Sequence, residues 1–284
     1  MPTQDGRDVS KYRKLSKCTE EPPSILSEKT ARYGWGSSHP WFDLLVRETR
    51  PRIIIEVGSW LGASAVHMAK LSAKYGLNTK VICVDTWLGA PALYRDPTHA
   101  ETLAFRDGYP TLFHGFLASV VEAGCGERIV PLPLPSALAA DVLVSRDIKA
   151  ELVYVDADHS FAGCLADLRA YSQLLTEDGV ILGDDFDGAG VSGAVAAFLA
   201  EDATRWHLYV HDAKYLLSRT PFEALEIYET ELKTVRSEGP HVYTLLPSPH
   251  ITDQIASLSL GRMLSLKLRG KWQGFVRSVL AGRR

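Results

Sequence analysis

The sequence predicts an α/β protein with an open, mainly parallel sheet flanked by helices. Short β-branched or apolar runs alternate with longer segments of helical periodicity, and two of the runs end directly in acidic clusters. The run Ile53-Ile54-Ile55 has no polar interruption, which is typical of a strand buried on both faces of a parallel sheet. With 284 residues, 46% of them hydrophobic and 23% charged, the chain is long enough for one such domain with additional segments.

The predicted strands and helices alternate along the chain. Strands are expected at 53–55, 80–84, 128–132, 152–155, 179–183, 206–210 and 215–218. Helices are expected from a cap at Ser38 to about Glu48, at 63–75, 111–123, 161–175 and 191–200, and from Ser136. We expect the last two strands to form an antiparallel edge of a seven-stranded sheet. Residues 1–40 are interpreted as an arm with an aromatic, glycine-rich lid, 41–220 as the main domain, and 221–284 as a C-terminal extension.

The first strand leads into the glycine-rich segment Glu56-Val57-Gly58-Ser59-Trp60-Leu61-Gly62-Ala63-Ser64, where a helix begins. Two glycines let the backbone turn sharply and let a ligand approach closely, while the first N–H groups of the helix face that ligand. The spacing matches neither the dinucleotide-binding G-x-G-x-x-G nor a P-loop. Asp85 ends the second strand, where nucleotide-binding sheets place an acid that binds a ribose diol.

These residues resemble class I S-adenosylmethionine-dependent methyltransferases, in particular metal-dependent O-methyltransferases of the catechol O-methyltransferase type. Glu56, Gly58, Gly62 and Ser64 match the first motif of that family, E-x-G-x-x-x-G-x-S before an alanine-rich helix. The resemblance covers residues 41–219 and implies a Rossmann-like, doubly wound methyltransferase sheet with S-adenosylmethionine as the methyl donor. The implied cofactor contacts are Glu56, Gly58, Ser59, Gly62, Ser64, Asp85, Trp87, Ser136 and Asp156.

For two of these residues, a purely structural role is an alternative to cofactor contact. Trp87 follows the second strand, where it would cover the adenine or pack as an ordinary core tryptophan. Ser136 lies at the junction that flanks the adenine in the family, but as the N-cap of a helix it also has a complete structural explanation.

Acidic clusters follow the fourth and fifth strands, as Asp156-Ala157-Asp158-His159 and Asp184-Asp185-Phe186-Asp187. Carboxylates that converge in one cleft repel one another, and a bound divalent cation would relieve the repulsion. Oxygen ligands favour Mg²⁺, with Mn²⁺ as the alternative. Asp156, Asp184 and Asp185 match the positions of the metal ligands in the family.

A hydroxyl acceptor must lose its proton when it receives a methyl group, and two residues are candidates for the base. His159 occupies the position of a lysine in catechol-type enzymes, and imidazole suits proton transfer at neutral pH. Asp158 occupies the position of an acid in the related macrocin-type sugar O-methyltransferases. We favour Asp158 for a sugar hydroxyl and His159 for a phenol.

The predicted function is therefore methyl transfer to a hydroxyl of a small molecule, a glycosylated natural product or a glycolipid sugar. A nucleotide-dependent oxidoreductase and a non-catalytic cofactor-binding module are the alternatives. A nucleic-acid substrate is not expected, since from Gln254 onward there are seven basic residues and no acid, which leaves 24 basic against 34 acidic residues elsewhere.

The remaining expectations concern partners and compartment. Apolar residues recur every fourth position from Leu260 to Val276 between basic ones, a pattern that fits a membrane surface, the protein's own body or a dimer mate. We therefore expect peripheral membrane contact or self-association, and a homo-oligomer. The four cysteines form no C-x-x-C pair and residues 1–17 contain no apolar run, so a reducing cytoplasm is expected.

Overall fold

The computed structural model describes residues 37–95, 105–202, 206–225 and 244–246. The N-terminal arm, most of the predicted lid and the basic C-terminal segment lie outside the described residues. The chain divides into two compact units, Met1–Ala157 and Asp158–Arg284. None of the helices in the described ranges is long and apolar enough to cross a membrane.

Parallel strands organise the first unit. Its strands are β1 (Ile53–Val57), β2 (Lys80–Val84), β3 (Phe105–Arg106), β4 (Tyr109–Pro110), β5 (Ile129–Leu132) and β6 (Ala150–Val155). Its helices are α1 (Pro40–Thr49), α2 (Ala63–Lys74), α3 (Pro91–Arg95), α4 (Leu112–Glu122) and α5 (Ser136–Ser145). β1 pairs in parallel with β2 and β6, and β2 also pairs in parallel with β5. The carboxyl ends of these four strands therefore lie at one edge, where α/β sheets bind ligands.

The strand predictions for this unit hold because its strands are apolar and buried. Ile54, Ile55, Val81 and Ile82 have no exposed surface. Burial on both faces is what an uninterrupted β-branched run predicts.

The cap of α1 differs from the prediction by one residue. His39 is the N-cap, and its Nδ1 atom accepts a hydrogen bond from the N–H of Trp41 at 3.2 Å, so the predicted Ser38 cap is wrong. The helix begins at Pro40, because proline suits the first position, where no intrahelical N–H bond is required.

The second unit combines two helices with an antiparallel strand arrangement. Its elements are α6 (Phe161–Ser172), β7 (Leu175–Gly183), α7 (Ala189–Glu201), β8 (His207–His211), β9 (Lys214–Ser218) and β10 (Thr244–Leu246). β9 pairs antiparallel with both β7 and β8, and β8 pairs antiparallel with β10. In the β8–β9 hairpin His211 lies opposite Lys214, and every residue of β9 is buried.

The Rossmann-like α/β class is confirmed, and all seven predicted strands are present. β7 begins at Leu175 rather than at 179, because polar residues at its start are partly exposed and hide the strand from an apolar pattern. The β3–β4 ribbon and β10 were not predicted. They have two or three residues each, too few to show a periodicity of 2.

Candidate active site

Gly58 directly follows β1, and it lies against the backbone of Asp156, which directly follows β6. Its φ of 87° lies in the left-handed region, and its N–H donates to the carbonyl of Val84 at 2.8 Å. A Cβ at this position would lie 1.9 Å from the backbone oxygen of Asp156. The glycine is therefore required by the close approach of two backbone segments, in addition to any approach of a ligand.

Gly62 is the N-cap of α2, and both its backbone conformation and a close neighbour require a glycine there. Its φ is 83°, and a Cβ there would lie 2.9 Å from the ring of Phe116. No side chain caps the helix at this position. The predicted contact of the first N–H groups of α2 with a ligand stays a prediction, and no side-chain cap competes with it.

Glu56 is a fully buried carboxylate beside the glycine-rich loop. Its Oε1 atom accepts a hydrogen bond from the Ser64 hydroxyl at 2.5 Å. Burial raises the pKa of Glu56 to about 7, the charge of Asp156 raises it further, and the nearby hydroxyls of Ser59 and Ser64 oppose the shift. Within the described ranges, Oε2 of Glu56 and the Ser59 hydroxyl form no hydrogen bond of normal geometry.

These two buried polar atoms indicate how the loop fits S-adenosylmethionine. A buried carboxylate oxygen without a donor carries a free-energy cost that a ligand donor would remove. The methionine portion of the cofactor carries an ammonium group, which is such a donor. Glu56, Ser59 and the start of α2 therefore fit the group that the resemblance implies.

Asp85 holds the loop in place through backbone hydrogen bonds. Its Oδ2 atom accepts from the N–H groups of Ser59 at 3.1 Å and Trp60 at 2.9 Å, and its Oδ1 atom accepts from Trp87 at 2.7 Å. Burial raises its pKa, and these N–H donors act in the opposite direction. The backbone N–H of Thr86 is a further donor, so backbone groups take up the roughly four acceptor sites of this carboxylate, and its contact with a ribose hydroxyl stays a prediction.

Trp87 lies in the core in this structure. Its side chain is 2% exposed. The centroid of its ring lies 4.9 Å from the ring centroid of Phe113 and 4.7 Å from that of Phe116. Its Nε1–H donates to the carbonyl of Trp60 at 2.7 Å. This is the structural alternative considered for Trp87, and its contact with adenine stays a prediction.

Ser136 is the first helical residue of α5 rather than its cap. Pro135 is the N-cap, and its carbonyl accepts the N–H of Ala139 at 2.9 Å. The predicted N-cap role of Ser136 is therefore wrong by one position, because Pro135 already has the extended backbone of a cap residue.

Asp156 follows β6 in the first unit. Its Oδ2 atom accepts the hydroxyl of Tyr154 at 2.8 Å, and its N–H donates to the carbonyl of Val57 at 2.8 Å. The carboxylate is thereby fixed close to Glu56, whose pKa its charge raises.

Asp158, in the second unit, contacts the first turn of α6. Its Oδ1 atom accepts the N–H of Ser160 at 2.8 Å. Its Oδ2 atom lies only 2.1 Å from the position that a Cβ on Gly163 would occupy. Ser160 caps the same helix by accepting the N–H of Gly163 at 3.1 Å. Asp158 therefore helps to satisfy and stabilise a helix N-terminus.

His159 and Asp185 form a side-chain pair in the second unit. Nδ1 of His159 lies 3.0 Å from Oδ2 of Asp185, and the side chains are 55% and 42% exposed. The hydrogen bond from His159 lowers the pKa of Asp185, and the charges of His159 and Lys214 lower it further. Gly190 lets α7 approach this segment, since a Cβ there would lie 2.2 Å from the backbone oxygen of His159.

Lys214 is a residue that the sequence interpretation missed. Its ammonium group pairs with Oδ2 of Asp184, and Lys214 is buried. The other oxygen of Asp184 accepts the N–H of Asp185 at 2.9 Å. The signal was a lysine directly before the apolar run 215–217, since a buried lysine in a strand requires an anionic partner.

Asp184 does not fit the open metal ligand that the resemblance implies. A divalent cation requires carboxylate oxygens that face it without a competing cation. Lys214 already neutralises one oxygen of Asp184, and a backbone donor binds the other. The metal site at Asp156, Asp184 and Asp185 stays a prediction from sequence.

Comparison with known proteins identifies the main domain. Residues 55–186 match a family profile described as a methyltransferase domain. No curated protein sequence matches the chain.

Among solved structures, the chain is similar to an O-methyltransferase from Bacillus cereus in complex with SAH, at 13% identity over 75% of this chain and 97% of that one, with a TM-score of 0.49. It is also similar to an SAH-bound methyltransferase from Podospora anserina, at 17% identity over 64% and 77% of the two chains, with a TM-score of 0.45. A third similar structure is a TDP-rhamnose 3'-O-methyltransferase of calicheamicin biosynthesis. Its identity to this chain is 20% over 64% of this chain and 79% of that one, with a TM-score of 0.47.

The fold and the loop around Gly58 define an α/β protein of the nucleotide-binding type. The domain match then gives the class: the main domain of the chain is a methyltransferase domain. The matched range contains the glycine-rich loop from Glu56, Asp85, the first acidic cluster, and the second acidic cluster as far as Phe186.

Proposed function

We propose that the protein transfers a methyl group from S-adenosylmethionine to a hydroxyl oxygen, with His159 as the general base. The observation that carries this proposal is the 3.0 Å contact between Nδ1 of His159 and the carboxylate of Asp185. A base that is oriented by a carboxylate is the arrangement expected for removing a proton from a weak nucleophile.

The geometry assigns a role to each ring nitrogen of His159. When Nδ1–H donates to Asp185, the neutral imidazole carries its lone pair on Nε2. Nε2 then accepts the proton of the acceptor hydroxyl, and Asp185 stabilises the imidazolium that forms. When bound, S-adenosylmethionine would supply an electrophilic methyl group, and the carbon–sulfur bond would break, with the electron pair left on sulfur, as the oxygen–carbon bond formed.

Asp158 is the weaker candidate for the base. Its carboxylate accepts the N–H of Ser160 and lies against the first turn of α6. This carboxylate already accepts a hydrogen bond at the start of α6, so it is less available to the hydroxyl of an acceptor. Of the two residues that the sequence left open, we therefore favour His159.

The segment after β2 supports an acceptor with an apolar or aromatic part. This segment carries four large, exposed side chains, those of Leu88, Tyr94, Phe105 and Tyr109. The ring centroids of Tyr94 and Phe105 lie 6.1 Å apart. A cluster of exposed apolar groups is typical of a surface that contacts a ligand or partner. We propose a small-molecule or glycosylated natural product, or a glycolipid sugar, as the acceptor class.

Two further expectations remain proposals. The basic C-terminal segment is proposed to contact a membrane surface or a second copy of the chain, and it lies outside the described residues. A divalent cation held by Asp156, Asp184 and Asp185 is the second proposal, and the pairing of Lys214 with Asp184 leaves that carboxylate less available to the cation.

The test is a screen of hydroxylated sugars, phenols and glycolipids with S-adenosylmethionine that carries a labelled methyl group. The proposal expects label on an oxygen of at least one acceptor and loss of this transfer in His159→Ala. Label that appears only on nitrogen, carbon or sulfur acceptors would overturn the assignment to hydroxyl groups, while the methyltransferase class would stand. A nucleotide-dependent oxidoreductase is not favoured, since the domain match is to methyltransferases.

A further inference from the structure

Tyr154 is a buried tyrosine in β6, the strand that leads into the first acidic cluster. It has no exposed surface, and its hydroxyl donates a hydrogen bond to Oδ2 of Asp156 at 2.8 Å. A buried hydroxyl without an acceptor would cost free energy, and phenylalanine would avoid that cost while filling nearly the same space. The role of the hydroxyl is therefore found in its contact with Asp156 rather than in packing.

The register of β1 and β6 makes Tyr154 a neighbour of Glu56. The two residues are partners across these parallel strands, so their side chains lie on the same face of the sheet. Within the described ranges, Oε2 of Glu56 nevertheless forms no hydrogen bond of normal geometry. The hydroxyl of Tyr154 thus donates to Asp156 and leaves this oxygen of Glu56 to a ligand donor.

Packing against α1 fixes the ring of Tyr154. The ring of Phe42, which also has no exposed surface, lies edge to face against it, with centroids 5.0 Å apart and planes at 81°. Phe42 makes the same kind of contact with His67 of α2, at 5.8 Å between centroids. An enclosed ring keeps its hydroxyl in one direction, so the hydrogen bond transfers this constraint to the carboxylate of Asp156.

The backbone of Asp156 is held against the glycine-rich loop. Its N–H donates to the carbonyl of Val57 at 2.8 Å, and its carbonyl oxygen would lie 1.9 Å from a Cβ on Gly58. These backbone contacts do not by themselves select a side-chain rotamer. The hydrogen bond from Tyr154 favours the rotamer that brings Oδ2 within reach of the phenol.

We infer that Tyr154 is a positioning residue for cofactor binding: through its hydrogen bond it directs the carboxylate of Asp156 to the ammonium group of bound S-adenosylmethionine. This inference rests on the proposed function and on the cofactor contact predicted for Asp156, and it adds the residue that orients this contact. A carboxylate in a fixed orientation loses less side-chain entropy when it binds a ligand, so the amino-acid end of the cofactor binds more tightly.

S-adenosylhomocysteine and 5′-methylthioadenosine are the two probes, and calorimetry in EDTA measures their affinities. The second compound keeps the adenosine and the sulfur but lacks the amino-acid end. Tyr154→Phe is expected to weaken binding of S-adenosylhomocysteine by roughly 3- to 10-fold, the effect of one hydrogen bond, and to leave binding of 5′-methylthioadenosine unchanged. Tyr171→Phe is the matched control, since Tyr171 is equally buried but belongs to α6, and it should change neither affinity.

The double variant Tyr154→Phe/Asp156→Ala tests whether Tyr154 acts through Asp156. Tyr154→Phe should weaken binding of S-adenosylhomocysteine by less than about twofold when Asp156 is already alanine, because the effects of two residues in one interaction do not add. Three results would each overturn the inference: independent effects that multiply, equal weakening of both probes, and wild-type affinity of Tyr154→Phe.

Should Tyr154→Phe fail to fold, Asp156→Ala decides alone. Weaker binding of S-adenosylhomocysteine with unchanged binding of 5′-methylthioadenosine supports the inference. Unchanged binding of both overturns it, since Tyr154 would then have no ligand contact to orient. A wild-type protein that does not bind S-adenosylhomocysteine would overturn the proposed function together with this inference, whereas binding that is insensitive to Tyr154→Phe contradicts only the role of Tyr154.

Discussion

Nδ1 of His159 lies 3.0 Å from Oδ2 of Asp185, and Asp185 holds this position with a φ of 54°. A non-glycine residue in the left-handed region costs free energy and persists only where its surroundings fix it. The N–H of Asp185 donates to the side chain of Asp184, and its carbonyl accepts the N–H of Gly188 at 2.8 Å. Backbone bonds on both sides of Asp185 therefore aim its carboxylate at the imidazole.

Asp185→Asn is expected to lower the turnover number by up to roughly 10⁴-fold, the loss known for changing the carboxylate that orients a catalytic histidine to an amide. The amide keeps the shape of the side chain but cannot stabilise an imidazolium by charge. Cofactor affinity, measured by calorimetry, should stay unchanged. A turnover number equal to that of the wild type would show that the pair has no part in the reaction.

His159→Ala and Asp158→Asn distinguish the two candidate bases. His159→Ala is expected to lower the turnover number by roughly 10² to 10⁴ and to remove the acid limb of the pH–rate profile, because a protonated imidazole cannot accept a proton. Asp158→Asn should be mild, since asparagine also accepts helix N–H groups. The reverse order of effects would identify Asp158 as the base.

The sequence predicts those site residues whose position follows from the single strand that precedes them. Asp85 and the loop from Glu56 to Ser64 lie where an apolar strand followed by glycine or an acid predicts. Contacts between distant segments were not predictable. The Lys214–Asp184 pair joins residues 30 positions apart, and it depends on the register of the antiparallel strands β7 and β9. Such a register follows from packing, which a single sequence does not display.

The buried carboxyl group of Glu56 predicts a pH-dependent stability. Its pKa is raised from 4.5 to about 7, so between these values the folded state keeps a proton that the unfolded state releases. The free energy of unfolding should therefore fall as the pH rises through this window, by roughly 3 kcal/mol in total, and level off above it. Urea denaturation of wild type and Glu56→Gln at several pH values measures the difference. Parallel profiles would mean that folding does not shift the pKa of Glu56.

The same carboxyl group predicts that cofactor binding releases a proton. An ammonium group placed near Oε2 favours the charged form of Glu56, so binding near pH 6 to 7 should displace its proton. Calorimetry in buffers with different ionisation enthalpies gives the number of protons released. Glu56→Gln is expected to abolish the release and to weaken binding. Binding without proton release by the wild type would place the ammonium group elsewhere.

Gly58→Ala tests whether glycine is required at this position by the space that a ligand needs or by the packing of the fold. Alanine at this position would place a methyl group 1.9 Å from the backbone oxygen of Asp156, so β1 and the segment after β6 would have to separate. Gly76→Ala is the matched control, because Gly76 also has a positive φ, 66°, but nothing within 4 Å of the added carbon. The control should cost about 1 kcal/mol, the usual cost of a left-handed alanine. Gly58→Ala should cost clearly more in urea denaturation, with cofactor binding lost only as the fold is lost. Equal stability of the two variants, with cofactor binding lost in Gly58→Ala alone, would show that Gly58 is required for the ligand and that the strands can adjust to a side chain.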